Sequence, residues 1–286
     1  MEKVDVIVNV YGKPWQTLCS LKSLIKHSGE HIDKIYFIEE RQQPYNDDVK
    51  WVLNEFDNVI HYIPNSYNFL PRMATGGDLS IKENRYGFRY QFGIENSDKK
   101  HVFIMHNDIL FTGDIIGKML VEIGNSAGIG SIAQCWNCPA KSAGVCNGEK
   151  FNDFNPTYEQ VIDLCRKFPP ARGNQFVSTI NRLRPMPLPE CRVNEFACLI
   201  NREISIKESF PNGDSAFFGD YTTLDLATSW FRDLYLKGHK FKNYDISETS
   251  NHGYFANNAG YPTQLDQQKY IESEINAKNY YEEKLK

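Results

Sequence analysis

The chain begins without any leader-like segment: Met1-Glu2-Lys3-Val4-Asp5 passes directly into a strand-like run, with no basic stretch and no long apolar core. No window approaches the roughly 20 apolar residues that a bilayer-crossing helix needs. A cytoplasmic protein is the expectation. Strong charge bias is also missing. A formal net charge of −4 over 286 residues gives no general attraction to nucleic acid or anionic lipid, so nucleic acid is not a favoured partner. There is no internal repeat and no low-complexity tract. Cysteines number seven, an odd count. In a reducing compartment that count suits free thiols or a metal site better than a disulfide framework.

What is there is ordinary in bulk, 41% hydrophobic and 24% charged, as in a globular protein that buries one large core. Val4–Val10 reads as a fully buried strand, followed by a Gly12-Lys13-Pro14 turn. Leu18, Leu21, Leu24 and Ile25 then recur at helical spacing. Strands are predicted at 34–38 and 59–63, with a helix at 49–56 between them. This alternation predicts an α/β fold with a mostly parallel central sheet flanked by helices. A loop at 65–80, a helix at 84–96, a strand at 102–105, a helix at 115–123 and a strand at 129–133 follow. From 134 to about 190 Pro, Gly, Asn and Cys break the pattern into a loop-rich insertion, with one predicted helix at 158–167. Beyond it come a strand at 195–200, a long helix at 223–237 stopped by Gly238, a strand at 241–244 and a helical tail at 263–286.

The most informative stretch is His101-Val102-Phe103-Ile104-Met105-His106-Asn107-Asp108-Ile109-Leu110-Phe111. A buried strand ends in three polar residues before apolar residues resume. At the carboxyl end of a strand in an open α/β sheet, an imidazole beside a carboxylate suits a divalent cation. A tight turn built on Asn107 and Asp108 explains the same triplet without a ligand.

The order of segments resembles the family 2 glycosyltransferases of the GT-A, Rossmann-like fold, over about residues 4–115 and 195–252. The resemblance is carried by Val6-Ile7-Val8-Asn9-Val10-Tyr11-Gly12-Lys13-Pro14 with Leu21-Lys22-Ser23-Leu24, and by Ile35-Tyr36-Phe37-Ile38-Glu39-Glu40. Further along, Gln91-Phe92-Gly93-Ile94 precedes the polar triplet, and Cys198-Leu199-Ile200-Asn201-Arg202 and Phe217-Phe218 lead to Asp225 and Gly238. Two departures stand out. His106 occupies the first position of the family's Asp-x-Asp motif, and Thr222-Thr223 replaces its Glu-Asp pair.

The resemblance implies one domain over 1–286, with a nucleotide-sugar-binding half at 1–123 and an acceptor-side half at 124–262. It implies an inverting transfer of a sugar, from a UDP-sugar by preference, to a hydroxyl of a polysaccharide, lipid-linked glycan or other glycoconjugate. Asp108, His106 and His252 would hold Mn or Mg. Val10, Tyr11, Glu39, Arg85, Arg89 and Asn107 would contact the donor, and Asp225 or, second, Asp220 would be the base. Solvated loop acids, exposed helix arginines and a helix N-terminal Asp are the plainer explanations of the same residues.

Cys135-x-x-Cys138 followed by Cys146, with Cys165 or Cys191 as a fourth ligand, suits a structural zinc in the insertion. Other functions remain in view. A modified nucleic-acid base as acceptor is disfavoured by the acidic charge. A nucleotidyltransferase lacks its Gly-rich phosphate loop after the first strand, and a non-catalytic sugar- or zinc-binding module fits the Thr222-Thr223 departure.

Overall fold

A computed structural model describes residues 2–65, 77–132, 138–220, 224–255 and 265–286. The chain divides into two compact units, one built from residues 1–122 and 246–286, the other from residues 123–245.

The first unit opens with β1 (Val4–Val10), α1 (Pro14–Ser28), β2 (Ile32–Glu39) and β3 (Val59–Tyr62). After α2 (Lys82–Arg85) and α3 (Gln91–Asn96) come β4 (His101–Met105), β5 (Ile109–Phe111) and α4 (Ile115–Ile123). β3, β2, β1 and β4 lie side by side in that order, all parallel. Val4, Val6, Ile7, Val8 and Val10 are completely buried, as expected of a parallel strand covered on both faces. Asp5 is equally buried, but its carboxylate accepts the Ser97 hydroxyl at 2.6 Å and the Lys34 N–H at 3.2 Å. Burial pushes that carboxyl above its ordinary value. α3 packs against the sheet through Gly93: a Cβ there would stand 2.8 Å from three side-chain atoms of Ile7.

Three sequence expectations are corrected here. The helix predicted at 84–96 is two short helices, because Tyr90 takes φ +64° and its N–H donates to the Asn9 side chain at 3.0 Å. The segment 49–56 winds as a 3-10 helix at Lys50–Glu55. Ile25, counted with the buried face of α1, is 37% exposed.

The second unit contains β6 (Gly128–Ile132), α5 (Pro139–Ser142), α6 (Tyr158–Lys167), α7 (Gly173–Ser178), β7 (Val193–Asn201), α8 (Arg202–Glu208), α9 (Thr228–Leu236) and β8 (Phe241–Asn243). β6 lies between β7, to which it is antiparallel, and β8, to which it is parallel. α6 starts at a reciprocal cap in which Thr157 and Gln160 satisfy each other's backbone N–H groups. Trp230 and Phe231 of α9 pack on Phe241 of β8, with ring centroids 5.4 and 4.2 Å away. α9 starts later than predicted because Ala227 adopts φ +62° and the Thr228 hydroxyl donates to the Asp225 carbonyl.

The chain then returns to the first unit as β9 (Ser250–His252) and α10 (Gln267–Tyr280). β9 pairs antiparallel with β5, and neither strand was predicted. Three residues are too few to show a period, and Ser-Asn-His carries no apolar signal. Cys19 of α1, Leu110, Phe255 and Ala277 of α10 form one small core. Among the described residues, no helix is long and apolar enough to cross a membrane.

Candidate functional site

The turn between β4 and β5 is tied to the start of α1. Asn107 donates through Nδ2 to the Gly12 carbonyl and to the Thr17 hydroxyl, each at 3.0 Å. Ser20 and Ser23 of α1 accept the N–H groups of Ile109 and Phe111 at 3.2 and 3.1 Å. Asn107 is therefore a structural tether in this arrangement. On the other side, β9 aligns His252 opposite Ile109, and the Gly253 N–H donates to the Asp108 carbonyl at 2.8 Å.

This pairing brings three side chains together. His252 Nε2 stands 3.3 Å from Asp108 Oδ1 and 3.3 Å from His106 Nδ1, which is itself 3.8 Å from Asp108 Oδ1. The carboxylate lies deep, with 4% of its side chain exposed, whereas His106 and His252 are 26% and 38% exposed. The open side of the cluster is therefore the histidine side.

Lys13 completes it. Its ammonium lies 2.6 Å from Asp108 Oδ2, with only 4% of either side chain exposed. Burial by itself would raise the Asp108 carboxyl. The Lys13 ammonium, and after it the His252 ring, hold it well below the usual carboxylate range. Burial drives the His106 imidazole down to about 3 despite the Asp108 carboxylate, and His252, Arg89 and Lys13 add to the effect.

The residues fit a divalent cation. Donor atoms sharing one ion at about 2.1 Å stand roughly 3.0–3.5 Å apart, close to the 3.3, 3.3 and 3.8 Å separations here. Asp108 Oδ1 is buried, and no donor among the described residues reaches it in hydrogen-bond geometry. Two imidazoles and a carboxylate oxygen are a donor set for a first-row transition ion more than for Mg. Two other groupings have structural explanations. Asp114, near Glu30 and His31, accepts the Ser28 hydroxyl and the Gly117 N–H at the start of α4. Asp33 and Asp98, near Asp5, are paired with Lys99.

The residues read as donor contacts are distributed unevenly. The Val10 carbonyl accepts the Glu40 N–H and the Gln43 amide, and Tyr11 follows it, partly exposed. Glu39 ends β2 with its carboxylate 2.7 Å from His61 Nε2 on β3. Arg85 does not share a helical face with Arg89. It forms a two-pronged pair with Glu95, both bonds 2.7 Å, and donates to the Leu79 and Ser80 carbonyls. Arg89 is near enough to depress His106 protonation.

In the second unit, Asp225 sits ahead of α9 with both oxygens engaged. Oδ2 is 3.1 Å from Arg172 and 3.1 Å from Arg192, and Oδ1 accepts the Leu226 N–H at 2.9 Å. The two arginines also reach Glu190, at 2.7 Å, and Glu195, at 3.1 Å. Burial raises the Glu190 carboxyl. Asp220 donates its N–H to the Phe217 carbonyl.

Cys135, Thr222 and Thr223 lie outside the described residues. Cys138, Cys146, Cys165 and Cys191 are buried free thiols. Burial pushes Cys146 up to about 11 and raises Cys165, and Cys138 adds to both shifts. Among the described residues, no three thiol sulfurs lie within 4.8 Å of one another.

The sequence pattern did not single out Lys13, Arg172 or Arg192. A lysine in a Gly-Lys-Pro turn reads as solvated; its one distinguishing signal is its place immediately beyond the carboxyl end of β1, the edge where ligands bind in such sheets.

No protein-family profile matches the sequence, and no curated protein matches it. Among solved structures the chain is similar to the mannosyltransferase PcManGT from Pyrobaculum calidifontis in complex with GDP-Man and Mn2+. Identity is 9% and the TM-score 0.49, covering 85% of this chain and 54% of that one. It is also similar to S. aureus TarS 1-349 in complex with UDP-GlcNAc, at 13% identity and a TM-score of 0.33, covering 45% of this chain and 33% of that one. The chain thus spans about half the length of the first of these. Likeness this distant assigns no activity.

Proposed function

We propose that this chain is a glycosyltransferase that takes a nucleotide-sugar donor and holds a divalent cation between His106, Asp108 and His252. The observation that carries this is the convergence of those three donor atoms, from the β4–β5 turn and from β9, at the carboxyl edge of a parallel sheet. The order of motifs, which resembles the family 2 enzymes, supports it. When bound, the cation would act as a Lewis acid on phosphate oxygens of the leaving diphosphate, with Mn preferred to Mg.

The protein's own residues do the rest. Arg89 lies near His106 and would add positive charge where the diphosphate sits. Val10, Tyr11 and Glu39, at the ends of β1 and β2, would meet the nucleotide, a uridine by preference. For the base, Asp225 is the first candidate and Asp220 the second; Asp225 would have to leave two guanidinium groups to take a proton. A single displacement with inversion follows. The acceptor is a hydroxyl of a polysaccharide or lipid-linked glycan, reached in the cytoplasm.

The test is nucleotide release from a panel of nucleotide sugars, with Mn, Mg or EDTA. Mn-stimulated release that vanishes in Asp108→Ala and His252→Ala is expected. Tight nucleotide binding with no turnover of any donor would favour a non-catalytic module, and full activity of a folded Asp108→Ala would sink the cation site.

A further inference from the structure

We infer that Lys13 positions Asp108 as a one-oxygen ligand: its buried ammonium takes Oδ2 and leaves Oδ1 alone facing the two imidazoles. This rests on the cation site proposed above. The geometry is specific, with Nζ 2.6 Å from Oδ2, and Oδ1 3.3 and 3.8 Å from the nitrogens of His252 and His106.

The backbone is built to deliver that side chain. Lys13 has φ +60°, a left-handed conformation that crowds the Cβ of any residue other than glycine. Gly12 before it is left-handed too, at φ +63°, which a glycine adopts freely, so the strain of the turn falls on Lys13. Three contacts hold Lys13 there. Its N–H donates to the Tyr270 hydroxyl at 2.5 Å, and its carbonyl accepts the Thr17 N–H at 2.8 Å and the Thr17 hydroxyl at 2.7 Å. Thr17 also accepts the side chain of Asn107, the residue before Asp108. The ammonium and the carboxylate are thus presented by two turns bonded to each other.

Fold stability is a poor reason for such a pair. Desolvating both charges offsets much of their attraction, and buried ion pairs are often replaceable by apolar residues with little loss. Strain held in place beside a ligand cluster points to a role for the side chain. Fixing one carboxylate oxygen sets the orientation of the other and leaves fewer positions around the ion taken by protein. Outer partners of metal ligands act in this way, and losing one typically lowers metal affinity about 10–100-fold.

The test uses the full chain and the ions Mn and Co(II) alone. Calorimetric titration of wild type, Lys13→Met and Lys13→Gln should give an affinity drop of about 10–100-fold in Lys13→Met. Lys13→Gln, which keeps a donor, should fall in between and covers the case that Lys13→Met does not fold. The Co(II) visible spectrum should also change in Lys13→Met, because the freed carboxylate can offer both oxygens. Equal affinity and an unchanged Co(II) spectrum would overturn the inference and leave the cation site standing. No ion binding by the wild type would overturn both. Full wild-type turnover in EDTA that is lost in Lys13→Gln would mean the ammonium itself replaces the ion, which also overturns the inference.

Discussion

Glu274 accepts the backbone N–H of Trp15 at 2.8 Å, joining residues 259 positions apart. The first N–H groups of a helix have no partner within it, and Lys13, the residue that begins α1, caps none of them with its side chain. Glu274 on α10 does so instead, also accepting the Gln16 N–H at 3.4 Å and the Gln16 amide at 3.0 Å. With Tyr270 one turn earlier bonded to Lys13, α10 fixes the start of α1 and with it the turn beside Asp108. Glu274→Ala should therefore lower stability by about 1–3 kcal/mol, seen as a lower urea midpoint with an unchanged slope.

The same carboxyl gives a pH signature. Burial pushes Glu274 up to about 7 from an ordinary 4.5, against the donors from Trp15 and Gln16. The folded chain then holds this proton more tightly than the unfolded chain. Its contribution is full below pH 4.5 and is lost as pH rises through about 7. The stability difference between wild type and Glu274→Gln should decline for wild type across that window. A flat difference would mean that the three N–H donors keep the carboxylate charged.

Arg85 should matter to folding and not to the donor. Breaking its buried pair with Glu95 is expected to cost about 3–5 kcal/mol. The donor KM of Arg85→Lys, the milder change, should stay near the wild-type value. A large rise in that KM, with melting unchanged, would return Arg85 to the diphosphate.

The two candidate bases separate in kinetics. Whichever of Asp225→Asn and Asp220→Asn removes the base should lower kcat by roughly 100–10,000-fold with little change in donor affinity. Asp225→Asn should also lower the melting temperature, since it removes a charge bonded to Arg172 and Arg192. A folded Asp225→Asn with unchanged kcat would pass the role to Asp220.

Gly93 is demanded by packing, not by an unusual φ. Gly93→Ala places its methyl 2.8 Å from Ile7, and overpacking of this kind costs about 1–3 kcal/mol. Combining it with Ile7→Val should recover part of the loss.

The sequence was most legible where burial alone writes the pattern. β1 and β4 are apolar because both faces are covered, and α1 shows its buried stripe at Leu18, Leu21 and Leu24. Asp108, His106 and His252 were also legible as polar residues at strand ends, though nothing local said that they meet. Their meeting depends on β5 and β9, whose three residues each gain definition only from pairing with one another. Lys13 was hidden for a related reason: its partner is 95 residues away, and a lysine's ordinary place is in water. Arg85 misled because local spacing put it on a continuous helix that Tyr90 interrupts.

The β5–β9 pairing also sets a clock. His252 follows His106 by 146 positions, with the entire second unit made between them. At about 5–20 residues per second, a ribosome takes roughly 7–30 s to cross that distance. For that interval a nascent chain carries His106 and Asp108 without their third companion. For the proposed cation site, the complete set of three ligands exists only after residues 250–252 have emerged.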